Sequence, residues 1–192
     1  MIFLLQNRYI MRQNSCCFIG HRKVNCSEDL RQKVSEIVES LFVKNNVTRF
    51  LFGSRSEFNT LCLDIVSELK KKHPTIIRID YSTGHELAML ETDRKSWEKI
   101  FSLIPTKDSK RLYVVEEIIH KTRYDSGRAS YVERNQEMID DSDYCIFYYD
   151  QNYLPPPRRL KGAMTTYQTK SGTRIAYEYA KRKKKHIINV FS

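Results

Sequence analysis

The chain alternates short apolar runs with longer stretches in which apolar residues recur every three or four positions. "SCCFIG" (15–20) is an apolar run closed by glycine, the form of a buried strand before a turn. Behind it, Ser27 followed by Glu28 and Asp29 marks a helix start, and Leu30, Val34, Ile37, Val38, Leu41 and Phe42 share one helical face. The unit then repeats. "TRFLFGS" (48–54) predicts a strand ending at Gly53, and Leu61, Ile65 and Leu69 mark the buried stripe of a helix that stops before Pro74. "TIIRIDY" (75–81) predicts a third strand.

Residues 82–111 are less regular, with one helical piece around Trp97, Ile100 and Phe101 and a break at Pro105. "RLYVVEEII" (111–119) predicts a strand, residues 128–141 a helix with Tyr131, Met138 and Ile139 on its core face, and "YCIFYY" and "HIINVF" two more strands. The segment between those last strands contains three successive prolines and exceeds the ordinary βα connection of about 2–6 residues. Strands alternating with helices of about four turns predict right-handed crossovers and a parallel sheet covered on both faces. The expected architecture is α/β, a Rossmann-like three-layer α/β/α single domain over residues 15–192 with a mainly parallel sheet. Residues 1–14 form an N-terminal extension.

Composition agrees with a folded chain: 192 residues, 41% apolar and 11% aromatic, suit one domain with a real core. Lys and Arg number 33 against 23 Asp and Glu, a net +10 that favours anionic partners without marking a site. Part of the excess, "KRKKKH" (181–186), reads first as a solvated helix end whose cations complement the macrodipole. Cys16, Cys17, Cys26, Cys62 and Cys145 are odd in number and form no C-x-x-C pair. They read as reduced thiols in a cytoplasmic protein, mostly small buried hydrophobes, and no metal or cofactor is assigned. The N-terminus lacks a signal-peptide pattern, and no apolar run approaches the ~18 residues of a membrane span. Homo-oligomerisation stays open.

In an open α/β sheet, ligands bind beyond the carboxyl ends of the strands. The residues there are Gly20, His21 and Arg22; Gly53, Ser54 and Arg55; "YSTGHE" (81–86); and the long segment ending in Ser171, Gly172 and Thr173. A helix opening on Gly172 and Thr173 offers free N–H groups, a hydroxyl and the positive end of its dipole, which suit a phosphate. Arg22, Arg55 and Arg134 bring guanidinium groups to the same edge. His21 is an acid or base by type, but a hydrogen bond that fixes its turn is the simpler role. Asp140, Asp141 and Asp143 do not share a helical face, so termination and capping outrank a catalytic pair. G-x-S-x-G, G-x-G-x-x-G and Walker A patterns are absent.

With these motifs in order, "CCFIGHRK", "FLFGSRSEF", "RNQEMIDDSDYCIFYYD" and "SGTRIAYEYAKRKKKHIINV", the chain resembles the SLOG superfamily over roughly residues 15–191. That Rossmann-like group joins DprA/SMF proteins to LOG-type phosphoribohydrolases, and the likeness is strongest to its uncharacterised YpsA-like branch. In LOG-type enzymes an arginine and a glutamate carry cleavage of a nucleoside monophosphate. The resemblance maps the arginine to Arg134, with Met138 at the matching spacing, and keeps Gly172 and Thr173. The glutamate position holds Ala176. Glycosidic cleavage needs a carboxylate; Glu178, two residues further and about 200° around the helix, cannot simply replace it, which leaves Glu57 or Glu86 from another strand. The expectation is therefore binding or sensing of a nucleotide-type phosphorylated ligand. A LOG-like phosphoribohydrolase is the alternative. DprA-like binding of single-stranded DNA comes third, because no interleaved basic and aromatic groove is visible.

Overall fold

A computed structural model describes residues 14–53, 56–83, 117–119, 127–159 and 165–191. Its order is β1 (Ser15–Gly20), α1 (Glu28–Asn45), β2 (Arg49–Phe52), α2 (Glu57–Lys72), β3 (Ile77–Tyr81), β4 (Glu117–Ile119), α3 (Gly127–Asp140), β5 (Tyr144–Tyr148), β6 (Arg158–Arg159), β7 (Thr166–Tyr167), α4 (Gly172–Arg182) and β8 (His186–Asn189). Six strands form one sheet in the order β4-β3-β2-β1-β5-β8. Every neighbouring pair in it is parallel. β6 and β7 form a separate antiparallel pair. The α/β, Rossmann-like, mainly parallel architecture expected from the pattern is the one observed.

The helices divide between the two faces. Leu30, Val34, Val38 and Leu41 of α1 and Phe58, Leu61, Ile65 and Leu69 of α2 pack with Phe18, Phe50 and Phe52 on one side. Met138 and Ile139 of α3 and Ala176 and Ala180 of α4 pack with Cys17, Ile19, Cys145 and Phe147 on the other. Successive strand residues point to opposite faces, so the core runs along both sides of the sheet. Among the described residues no helix is long and apolar enough to cross a membrane.

Caps explain the helix limits. Ser27 accepts a hydrogen bond from Leu30 N–H, and α1 closes at Asn46, a left-handed residue (φ 52°). Ser56 caps α2 through Asn59 N–H, and that helix ends with His73 ahead of Pro74. Two expectations need correction. Tyr131 is exposed (38%) rather than on the core face, and its ring lies under the Arg134 guanidinium, 5.2 Å away. Arg134, a charged side chain whose type predicts exposure, is 3% exposed. The extension 1–14 lies outside the described residues except Asn14, whose carbonyl accepts from Thr48 and Arg49 N–H. The helical piece at Trp97, Ile100 and Phe101, the break at Pro105 and most of strand 111–119 also lie outside them.

The strand order reverses between β1 and β5: from β1 the chain runs outward through β2, β3 and β4, then returns to build β5 and β8 on the other side. Such a switch opens a crevice at the carboxyl ends of the two strands.

Candidate functional site

Both helices on the β5 side start at that edge. Ser171 is extended (φ −66°, ψ 155°) and its Oγ accepts from Arg174 N–H at 3.0 Å. Its carbonyl accepts from Ile175 N–H. These bonds use the third and fourth N–H groups of α4. Among the described residues, the N–H groups of Gly172 and Thr173 and the Thr173 hydroxyl have no protein partner, although Thr173 is only 6% exposed. A Cβ added to Gly172 would meet nothing within 4 Å. The turn thus gathers two N–H donors, a nearly buried hydroxyl and the positive end of the helix dipole beside open space at Gly172, an arrangement that suits an anion.

His21 follows the last residue of β1 and is 5% exposed. Its Nε2 accepts from Asp150 N–H at 3.1 Å, and its ring lies 4.3 Å from that of Tyr153. The side chain therefore ties the end of β1 to the segment after β5, the simpler of its two expected roles. Burial pushes its pKa below the ordinary 6.5, against a smaller opposing pull from Asp150. A proton on Nε2 would also remove the acceptor that Asp150 N–H uses. Because the folded pKa lies below the unfolded one, this contribution to stability is full above pH 6.5 and is lost as pH falls from 6.5 towards the lowered value. Denaturation midpoints should drop between neutral and mildly acidic pH, and His21→Gln should flatten that drop. An unchanged slope would show that His21 does not titrate in this way.

The other strand ends are more crowded. A Cβ on Gly20 would lie 2.6 Å from Phe58 Cδ1, and one on Gly53 would lie 2.3 Å from Met138 Sδ and 3.1 Å from Arg134 Nε. Both glycines thus have packing reasons, and Gly53 is what brings α3 and Arg134 against the end of β2. The Arg134 guanidinium also donates to Asn135 Oδ1 at 3.3 Å. Arg22 is exposed, with its carbonyl accepting from Glu57 N–H. The Glu57 carboxylate accepts from Val24 N–H at 2.7 Å, which commits it to the β1–α1 connection. Ser54, Arg55 and Glu86 lie outside the described residues.

The aspartates diverge to separate partners: Asp140 to Tyr179 and Lys183, Asp141 to the Tyr81 hydroxyl and Asp143 to Ser15 N–H. Burial pushes the thiols of Cys16 and Cys62 well up. At Cys145 the neighbouring Cys17 thiol and burial act the same way. These are inert core thiols. Ala176, 2% exposed, packs in the α3–α4 core. Glu178 is held by Lys170 (2.8 Å) and Arg174 (3.0 Å), which keep its carboxyl below the usual range.

Two features escaped the sequence reading. Arg128, at the start of α3, donates to the Lys170 carbonyl at 2.5 Å and so joins the first turn of α3 to the approach of α4. A cleft of about 460 Å³ also lies between the segment after β5 and α4, reaching Asn189 and Phe191. The Asn189 amide accepts from Tyr149 N–H and donates to the Tyr149 carbonyl, so a side chain extends the sheet beyond β8. The aromatic doublet Tyr148–Tyr149 hinted at this, but a contact spanning forty residues has no local signature.

No family model matches the chain. It is 28% identical over 165 residues, covering 80% of this chain and 81% of the other, to the uncharacterized SPbeta prophage-derived protein YoqJ of Bacillus subtilis (strain 168). That likeness assigns no activity.

Proposed function

We propose that the protein binds a nucleotide or nucleotide-derived phosphorylated ligand, with a phosphate on the first turn of α4. The observation that carries this reading is the set of donors at Gly172 and Thr173, which lack protein acceptors among the described residues and sit beside open space at Gly172. Their position beside the β1–β5 switch supports it, because that is where open α/β sheets take ligands. So does the SLOG resemblance of the flanking motifs. A binding or sensing role is preferred to LOG-like hydrolysis because Ala176 is in the core and Glu57 and Glu178 have other partners. A nucleotide-binding role and the free thiols both fit the cytoplasm.

A thermal-shift screen of nucleoside mono-, di- and triphosphates tests the reading. A ligand at a hundred times its dissociation constant should raise stability by about 2.7 kcal/mol. No shift with any phosphorylated nucleoside would refute it. Steady release of free base on long incubation would instead favour the hydrolase.

A further inference from the structure

We propose that the cleft between the segment after β5 and the outer side of α4 is the base subsite of the same ligand, which extends towards β8 and away from β2. The inference rests on the nucleotide reading and adds a direction and a chemistry to it. Among the described residues, the Cβ position of Gly20 at the end of β1 is filled by Phe58, and that of Gly53 after β2 by Met138 and Arg134. Open room lies above Gly172 and in the cleft. Arg174, which lines the cleft, is two residues beyond Gly172, about 3 Å along the helix axis at 1.5 Å per residue. The cleft therefore begins about one residue rise beyond the N–H donors but on the outer face of α4, about 200° around the axis from Gly172, so a ligand would reach it by passing over the helix tip.

Its lining selects a neutral planar group over a charged one. The charged side chains already have partners: Glu178 pairs with Lys170 and Arg174, Lys181 lies 5.0 Å over the Tyr177 ring, and Asp150 Oδ1 accepts from Asn152 N–H. What remains is aromatic surface and amide groups. Tyr149 and Tyr177 stack with centroids 4.5 Å apart, and Phe191 follows the carboxyl end of the neighbouring strand β8. The side-chain amides of Gln151 and Asn152 line the cleft without a protein partner among the described residues. An aromatic wall with amides that both donate and accept suits a heterocycle with a hydrogen-bonding edge. A volume of about 460 Å³ accommodates a nucleoside. The ligand class is thus a purine or pyrimidine nucleotide read by its base.

Calorimetric titration of the full chain with the common ribonucleoside monophosphates, the matching nucleosides and ribose 5-phosphate tests the proposal. Gln151 and Asn152 are exposed, so Gln151→Ala and Asn152→Ala should keep the wild-type melting temperature. Each should weaken the preferred monophosphate about tenfold, the loss of one good hydrogen bond, and leave ribose 5-phosphate unchanged. Unchanged monophosphate binding in both variants would overturn the base subsite while the phosphate reading stands. Equal losses for monophosphate and ribose 5-phosphate would also overturn it, by showing that the segment acts on the phosphate. Nucleoside binding that is sensitive to Asn152→Ala, without any phosphate contribution, would keep the cleft and remove the phosphate reading. Failure of every probe to bind the wild type would remove both.

Discussion

Gly20→Ala is expected to destabilise the protein by about 1–3 kcal/mol, the usual cost of forcing a methyl group into a well-packed core. The added Cβ would sit 2.6 Å from Phe58 Cδ1 and 2.7 Å from its Cβ and Cγ. Those atoms cannot swing aside cheaply. Phe58 is fully buried in the second turn-forming position of α2, and its ring packs against that of Tyr148 at 5.7 Å. Relief requires α2 to move off β1, which would disturb the contacts of Leu61 and Ile65 in the same cluster. Urea denaturation of Gly20→Ala, Phe58→Leu and the double variant tests the cause. The second substitution should cost less in the presence of the first, because leucine returns some of the space. Additive losses would mean that the two side chains do not compete, and a neutral Gly20→Ala would show that the strand end has room for more than a hydrogen atom. Once folded, the variant should bind nucleotide normally, since the space lost is on the α2 side.

The strand-and-helix alternation was legible because each element carries its own local signal. Ser27 and Ser171 announce helix starts, and Leu61, Ile65 and Leu69 repeat at helical spacing; all three leucine and isoleucine positions are buried as expected. Tyr131 misled because it shares a helical face with Arg134 and Met138 by spacing, but it is Ser130 that is buried at this turn, while the exposed Tyr131 ring lies under the Arg134 guanidinium. Arg134 misled for the opposite reason. Its type suggests exposure, yet the missing side chain at Gly53 admits it beside β2, a relation between positions eighty-one residues apart. The site divided in the same way. The α4 turn is contiguous in sequence and was readable, whereas the cleft is assembled from residues after β5, along α4 and after β8. Only the strand order β1-β5-β8 brings those pieces together.

Thr173→Val and Gly172→Ala should separate ligand binding from folding at that turn. Valine keeps the shape of threonine and removes a nearly buried hydroxyl that has no protein partner among the described residues, so the free protein should be at least as stable as before. Alanine at 172 enters open space and costs the fold nothing by contact, while its better helix propensity acts slightly in its favour. Neither variant should lower the melting temperature of the free protein. Both should lose most of the nucleotide-dependent shift, for different reasons. Valine removes one hydrogen bond to a charged group, worth about 1.5–3 kcal/mol, or roughly tenfold or more in affinity. The alanine methyl stands over the N–H groups and holds a phosphate off them by steric contact. Ser171→Ala provides the contrast, because it removes the acceptor of Arg174 N–H and should lower stability by about 1 kcal/mol even without ligand. If Thr173→Val and Gly172→Ala both retain the full nucleotide shift, the first turn of α4 is a capped helix start and not a phosphate site.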